Sequence, residues 1–193
     1  MARVREFDTD AAAEAAMGAF RRKGYEGTSV QDLVDATGIG RGSLYAAFGS
    51  KEGLYHAALG CYRERYMVPL VEALQGGAPA RELIRDIMID MVDQVIEESK
   101  REACLIISAT MERVPHDPEV AAQLRETISS LEDTLTELIG EAQANGGIAA
   151  DRTARDLARY LVMTMQGLRV MGAIQGDRKS LTAAVEVALG CLG

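Results

Sequence analysis

Apolar residues recur three and four positions apart through nearly the whole chain, and no segment shows the two-residue alternation of a half-buried strand. That period, interrupted by glycines and prolines, predicts an all-α fold of about nine helices. The run from Asp8 to Lys23 reads as the first, with Asp8 as its N-cap, Ala13, Met17 and Phe20 on one face, and Gly24 as its stop. Thr28 with Gln31 three residues on predicts a capping box for the second, whose apolar face is Val30, Leu33 and Val34 and whose end is Thr37-Gly38. A third short helix is expected from about Gly40 to Ala47. The fourth begins near Ser50 and carries Leu54, Ala58, Tyr62 and Met67 until Pro69 kinks or ends it.

Beyond a turn at residues 75–79, Ile84, Ile87, Met88, Met91, Val92 and Val95 form one stripe of a longer helix, opposite Glu82, Asp86, Asp90, Asp93 and Glu97. A shorter helix from Cys104 to Arg113 is ended by Pro115. Asp117 is the expected N-cap of the longest helix, with Pro118 in its first position. That helix runs for about 28 residues, or roughly 42 Å, to the stop at Asn145-Gly146-Gly147. Two more follow, over about 153–175 and 180–192.

The first of these last two is apolar on nearly every face, with Gln166 and Arg169 the main exceptions, so it must be covered on two sides. A partner subunit is the natural second cover. The expected isologous interface consists of Leu161, Met165 and Leu168 with Leu181, Val185, Ala188 and Leu192 of the final helix. The alternative is a central helix of the chain's own core.

The chain has 193 residues, 48% apolar and 26% charged, an ordinary globular composition for one domain or a small pair. No stretch approaches the roughly 18 apolar residues of a membrane span, and MARVREFDTD lacks the apolar segment of a secretory leader, so a cytoplasmic protein without membrane contact is expected. Cys61, Cys104 and Cys191 form no C-x-x-C pair and read as reduced thiols. With only His56 and His116 as histidines, no metal centre or cofactor is expected. No Ser/His/Asp order, phosphate-cradling glycine loop or E-x-x-H pair on facing helices is present, which speaks against an enzyme and assigns no catalytic residue.

Two short helices joined by a turn at Gly38 have the form of a helix-turn-helix, whose second helix fits a DNA major groove. The residues are more specific than the spacing. Gly24-Tyr25-Glu26-Gly27-Thr28-Ser29, Asp35-Ala36-Thr37-Gly38-Ile39 and Ser43-Leu44-Tyr45-Ala46-Ala47-Phe48-Gly49-Ser50-Lys51-Glu52 closely resemble the N-terminal domain of the TetR/AcrR family of transcriptional regulators. REFD at the start and LARYLVMTMQGLRVMG near the end resemble one branch of that family. The resemblance implies a three-helix DNA-binding domain, a linker helix from about residue 50, a helical effector domain and a homodimer, and repression of a palindromic operator relieved by a small molecule. The expected division is a DNA-binding domain at 1–51 and an effector-binding and dimerisation domain at 52–193.

Local chemistry bears on the DNA contacts. Thr28, at a helix start, offers a hydroxyl and backbone N–H groups to a phosphate. Arg41 opens the second helix of the motif and can pair with guanine or reach a phosphate. Gly40 and Gly42 flank it and let the backbone approach the groove. Ser43, Tyr45 and Lys51 match family positions that contact DNA, Lys51 as a phosphate contact. Leu44 and Phe48 are expected to face the core. Gly40 and Ala46-Ala47 depart from the commoner family residues, which leaves readout to Arg41, Ser43, Ala46 against a thymine methyl, and DNA shape. The same departures keep open an alternative of another class, a helical interaction module that has lost DNA binding.

For the effector, expected to be apolar or amphipathic by the character of its walls, the candidate pocket is Met88, Met91, Val92, Val95, Ile107, Ser108, Met111, Met163, Gln166 and Val170, with Cys104 at its edge. Each is equally readable as plain core. Cys104 follows Lys100 and Arg101 at a helix start, which makes oxidant or electrophile sensing an alternative to reversible ligand binding. The net charge of −8 is wrong for indiscriminate nucleic-acid coating, yet residues 1–51 carry 7 basic and 7 acidic side chains, so the whole excess lies outside the reading head. Such a balance favours specific, salt-sensitive binding through few contacts.

Overall fold

Helix starts and stops lie close to the positions that capping chemistry dictates. The computed structural model describes residues 7–98 and 104–193. α1 (Thr9–Lys23) starts at Asp8, whose carboxylate accepts from the Asp10 and Ala11 amides, and stops at Gly24. α2 (Val30–Thr37) does carry a capping box, but one residue later than Thr28/Gln31. The Asp32 amide donates to Ser29 Oγ at 3.1 Å and the Ser29 amide to Asp32 at 2.8 Å, whereas Gln31 donates to Asp35. The shift follows from burial: Thr28 is fully enclosed and its hydroxyl donates back to the Gly24 carbonyl at 2.6 Å. Gly38, left-handed at φ 68°, turns the chain into α3 (Arg41–Phe48).

α4 (Lys51–Tyr62) is capped by Ser50 and runs through a π turn (Arg63–Met67) into α5 (Val68–Leu74). The expected kink is this turn. Pro69 lacks an N–H and its ring displaces the carbonyl four residues back, so the hydrogen-bond ladder shifts register just ahead of it. Then come α6 (Ala80–Glu98), α7 (Leu105–Glu112), α8 (Pro118–Ala144), α9 (Ala154–Gln175) and α10 (Arg178–Leu189). With α4, the π turn and α5 taken as one uninterrupted rod, the helical rods among the described residues number nine.

The described residues pack as two compact units, one within 7–66 and 104–124 and the other within 67–98 and 125–193. In the first, Phe20, Leu33, Leu44, Leu54 and Tyr55 make the core, joined by Leu105, Ile106 and Ala109 of α7 and Val120 of α8. Phe20 meets Tyr55 edge-on with centroids 4.8 Å apart. Arg21, almost wholly buried, donates to the Tyr66 hydroxyl at 2.6 Å and lies over the Tyr62 and Tyr66 rings.

In the second unit α6 packs on α9 and α10. Its stripe Ile84, Met88, Met91, Val92 and Val95 is buried, and so are Leu161, Met165 and Leu168 of α9 and Leu181, Val185 and Ala188 of α10, with Leu192 beyond it. This corrects the expected subunit interface: α10 turns back at Gly176 and encloses that face within the chain's own core. The uncovered apolar face of α9 is the other one, Tyr160, Met163, Val170, Met171 and Ile174, and Val187 is exposed on α10. Arg178 grips Asp93 through two hydrogen bonds, and Arg85 reaches Glu186 at 2.9 Å.

Gly172 sets the approach of α9 to α6. A Cβ there would lie 2.2 Å from Val95 Cγ1. Gly172→Ala gains about 1 kcal/mol of helix propensity but must push Val95 aside, and a net loss of about 1–2 kcal/mol in urea unfolding is expected. No loss would mean that Val95 rotates freely out of the way.

Candidate nucleic-acid interface

The α2–Gly38–α3 arrangement presents the start of α3 to solvent while Leu44 anchors its other side at 2% exposure. Arg41, first residue of α3, is exposed, and its guanidinium lies 5.3 Å from the Tyr45 ring centroid, which limits its wandering before any contact is made. Gly42, Ala46 and Ala47 are exposed alongside it, and Ser43 and Tyr45 are half-buried. A Cβ on Gly40 or Gly42 would meet nothing within 4 Å. Gly42, inside α3, therefore costs helix stability with no packing need, as a backbone kept clear for an external surface would, and Gly40 caps the helix without a side-chain hydrogen bond. Phe48 is only half-buried, less inward than Leu44.

Thr28 does not join this surface, because its hydroxyl is enclosed and already donates within the chain. The exposed residue at the start of α2 is Ser29, whose hydroxyl donates to the Asp32 carboxylate at 2.8 Å. Lys23 pairs with Asp32 at 2.6 Å, and that contact, with the Ser29 hydrogen bonds, holds the Asp32 carboxyl well below the usual carboxylate range.

Lys51, at the first position of α4, rests with its ammonium 4.2 Å from the Tyr25 ring centroid. Burial there lowers its pKa, and repulsion from Arg113 lowers it further against the attraction of Glu26, Glu112 and Asp32. The Arg113 guanidinium lies 4.2 Å from the same centroid. It also donates to Glu52 at 2.6 Å and to Asp117 at 2.8 Å. Asp117 caps α8 as the sequence predicts, accepting from the Glu119 and Val120 amides, and its other oxygen lies 3.1 Å from His56 Nε2. Glu112 accepts the Glu26 amide at 3.0 Å. Sequence reasoning missed this seam; the only sign of it is the i,i+4 pair of Arg113 and Asp117 around Pro115.

Within the second unit Met88, Met91, Val92 and Val95 are core, while Met163 and Val170 lie on the exposed face of α9, 68% and 41% accessible. Gln166 is half-buried, and its Oε1 is enclosed without a hydrogen-bond partner. A surface cleft of about 640 Å³ lined by Pro79, Arg81, Glu137, Glu141 and Asn145 shares no residue with the predicted pocket. Within the first unit Ile107 and Ser108 are half-buried, and Met111 is exposed.

Cys104 is half-buried with its sulfur 3.5 Å from the Tyr62 hydroxyl, and Lys100 and Arg101 lie outside the described residues. Burial raises the Cys61 and Cys191 thiols. Nothing here favours a thiol sensor over reversible ligand binding. Among the described residues no group of His, Cys, Asp and Glu is placed to hold a metal, and no helix is long and apolar enough to cross a membrane.

Comparison with known proteins points the same way as this geometry. Residues 13–58 match the family described as bacterial regulatory proteins, tetR family, and residues 79–188 match the tetracyclin repressor-like C-terminal domain. The uncharacterized HTH-type transcriptional regulator YezE of Bacillus subtilis (strain 168) is 34% identical over 193 residues, all of both chains. The HTH-type transcriptional repressor ComR of Escherichia coli (strain K12) is 31% identical over 169 residues, 87% of this chain and 80% of that one. A cysteine mutant of the TetR family transcriptional regulator CifR, solved with 26-bp double-strand operator DNA, superposes with a TM-score of 0.86 at 32% identity, covering 99% of this chain and 100% of that one.

Proposed function

The chain belongs to the tetR family of bacterial regulatory proteins and is a DNA-binding transcriptional regulator, and on that premise we propose that it is a repressor released from a palindromic operator by a small molecule. The observation that carries this reading is the start of α3: an exposed Arg41 between two glycines that the fold itself does not need. Arg41 reads base edges, with Ser43, Tyr45 and Ala46 beside it, and Lys51 contacts phosphate. Ser29 takes the place given to Thr28 at the start of α2. Residues 1–51 act as the reading domain, and 52–193 bind effector and dimerise. The work is binding rather than catalysis, in the cytoplasm where the DNA is, and no cofactor is invoked.

The second copy covers the exposed apolar face of α9. Five large apolar side chains left open on one helix are more than a solitary protein ordinarily shows. The effector is apolar or amphipathic, and Gln166, with its enclosed unpaired oxygen, is the polar group that orients it. Release requires the effector to bind better to a conformation in which the two reading helices are wrongly separated.

Selection of bound sequences from a random duplex pool is expected to return a palindrome with half-sites about one helical turn apart or somewhat more. A folded dimer that enriches nothing overturns the reading in favour of an interaction module. Arg41→Ala is expected to weaken binding to the selected duplex by about 1–3 kcal/mol and relax its base preference. Unchanged affinity and preference would take Arg41 out of the reading role. A thermal-shift screen of small molecules on the purified dimer identifies the effector class.

A further inference from the structure

A lysine that meets phosphate from a surface position ordinarily loses rotamer freedom when it does so. Lys51 is not in that position. Its ammonium already lies 4.2 Å from the Tyr25 centroid, and the ring beneath it is itself held from several directions. Phe20 stacks on Tyr25 at 6.0 Å and 16°, Tyr55 meets it edge-on at 4.9 Å, and the Arg113 guanidinium lies 4.2 Å from its centroid. Phe20 and Tyr55 are both fully buried, so Tyr25 is the outermost member of a packed aromatic cluster rather than a loop side chain free to follow Lys51.

From this juxtaposition we infer that Tyr25 is a positioning residue for DNA binding: its ring face holds the Lys51 ammonium in place at the start of α4 before DNA arrives. An aromatic face attracts the cation without consuming its N–H donors in directional hydrogen bonds, so the ammonium stays able to donate to a phosphate oxygen. A carboxylate in the same place would compete with the phosphate for those donors. Arg113 places a second cation against the same ring. This inference rests on the reading of Lys51 as a phosphate contact.

The test is equilibrium binding of the full-length protein to its selected operator across a range of salt concentrations. Lys51→Met is expected to weaken binding and to reduce the slope of log K against log salt by about one per protomer. Tyr25→Phe should bind as wild type does, and Tyr25→Leu should weaken binding about 3- to 10-fold per half-site. Tyr25→Leu combined with Lys51→Met should bind no more weakly than Lys51→Met alone. Fluorinated phenylalanines at position 25 keep the ring's shape while draining its face, and serve if the leucine variant does not fold. Affinity should then fall stepwise with fluorine number in the Lys51 protein and stay flat in the Lys51→Met protein. Additive losses, a fluorine series flat in both backgrounds, or tighter binding by Tyr25→Leu would overturn the inference and leave the phosphate contact standing. An unchanged affinity and slope in Lys51→Met would overturn both.

Discussion

Met163→Glu combined with Ile174→Glu is expected to give a folded monomer that binds operator DNA at least about 100-fold more weakly than the parent protein. Both side chains are about 70% exposed on the same face of α9, so neither substitution removes a contact from the core. In an isologous interface each change occurs twice, which places four carboxylates in a seam built from apolar side chains. The loss at DNA follows from geometry. Two half-sites gripped by linked reading heads gain an effective-concentration factor on the order of 10²–10⁴ that a monomer forfeits. Sedimentation velocity checks the first part and operator binding the second. Urea unfolding should lose its dependence on protein concentration while keeping the intrinsic stability of the protomer. A dimer that survives both substitutions would move the interface elsewhere.

Arg113→Met is expected to lower the unfolding free energy by about 3 kcal/mol at neutral pH. The methionine keeps much of the packing on Tyr25 and removes the charge, leaving the Asp117 carboxylate, 6% exposed, with the His56 ring as its remaining side-chain partner. The pH dependence identifies the cause. Burial pushes the Asp117 carboxyl up, but the Arg113 guanidinium, the Val120 amide and His56 together hold it well below the usual carboxylate range. A carboxyl whose folded pKa is depressed stabilises fully above its unfolded value and loses that contribution as pH falls. The difference between parent and variant should therefore be full at neutral pH and shrink below about pH 4. A difference that stays the same down to pH 3 would assign the loss to packing on Tyr25 instead of to charge.

Much of the local structure was legible because its causes are local. Asp8, Asp117, Gly24, Gly38 and Gly146 act on backbone groups within four residues of themselves, so their effect can be read without knowing what packs nearby. The error at α2 marks the limit of that reading. Thr28-x-x-Gln31 and Ser29-x-x-Asp32 are equally good capping patterns, and the choice went to Ser29 because Thr28 was needed inside. The interface on α9 failed in a different way. Both faces of that helix are apolar, and nothing within it says which one α6 and α10 will cover.

The sequence by itself determined the helical class, most helix ends, and a reading helix with Arg41 at its start, because these depend on contacts within a turn or two of the chain. Only the tertiary structure decided which face of α9 stays open, that Thr28 is enclosed, and that Tyr25, Lys51 and Arg113 meet at one ring. Residues 25 and 113 share no helical period, and a cation and an aromatic ring 88 positions apart carry no mark of each other until folding has brought α7 beside α1. Periodicity states that a face will be buried; the partner that buries it is a property of the whole chain.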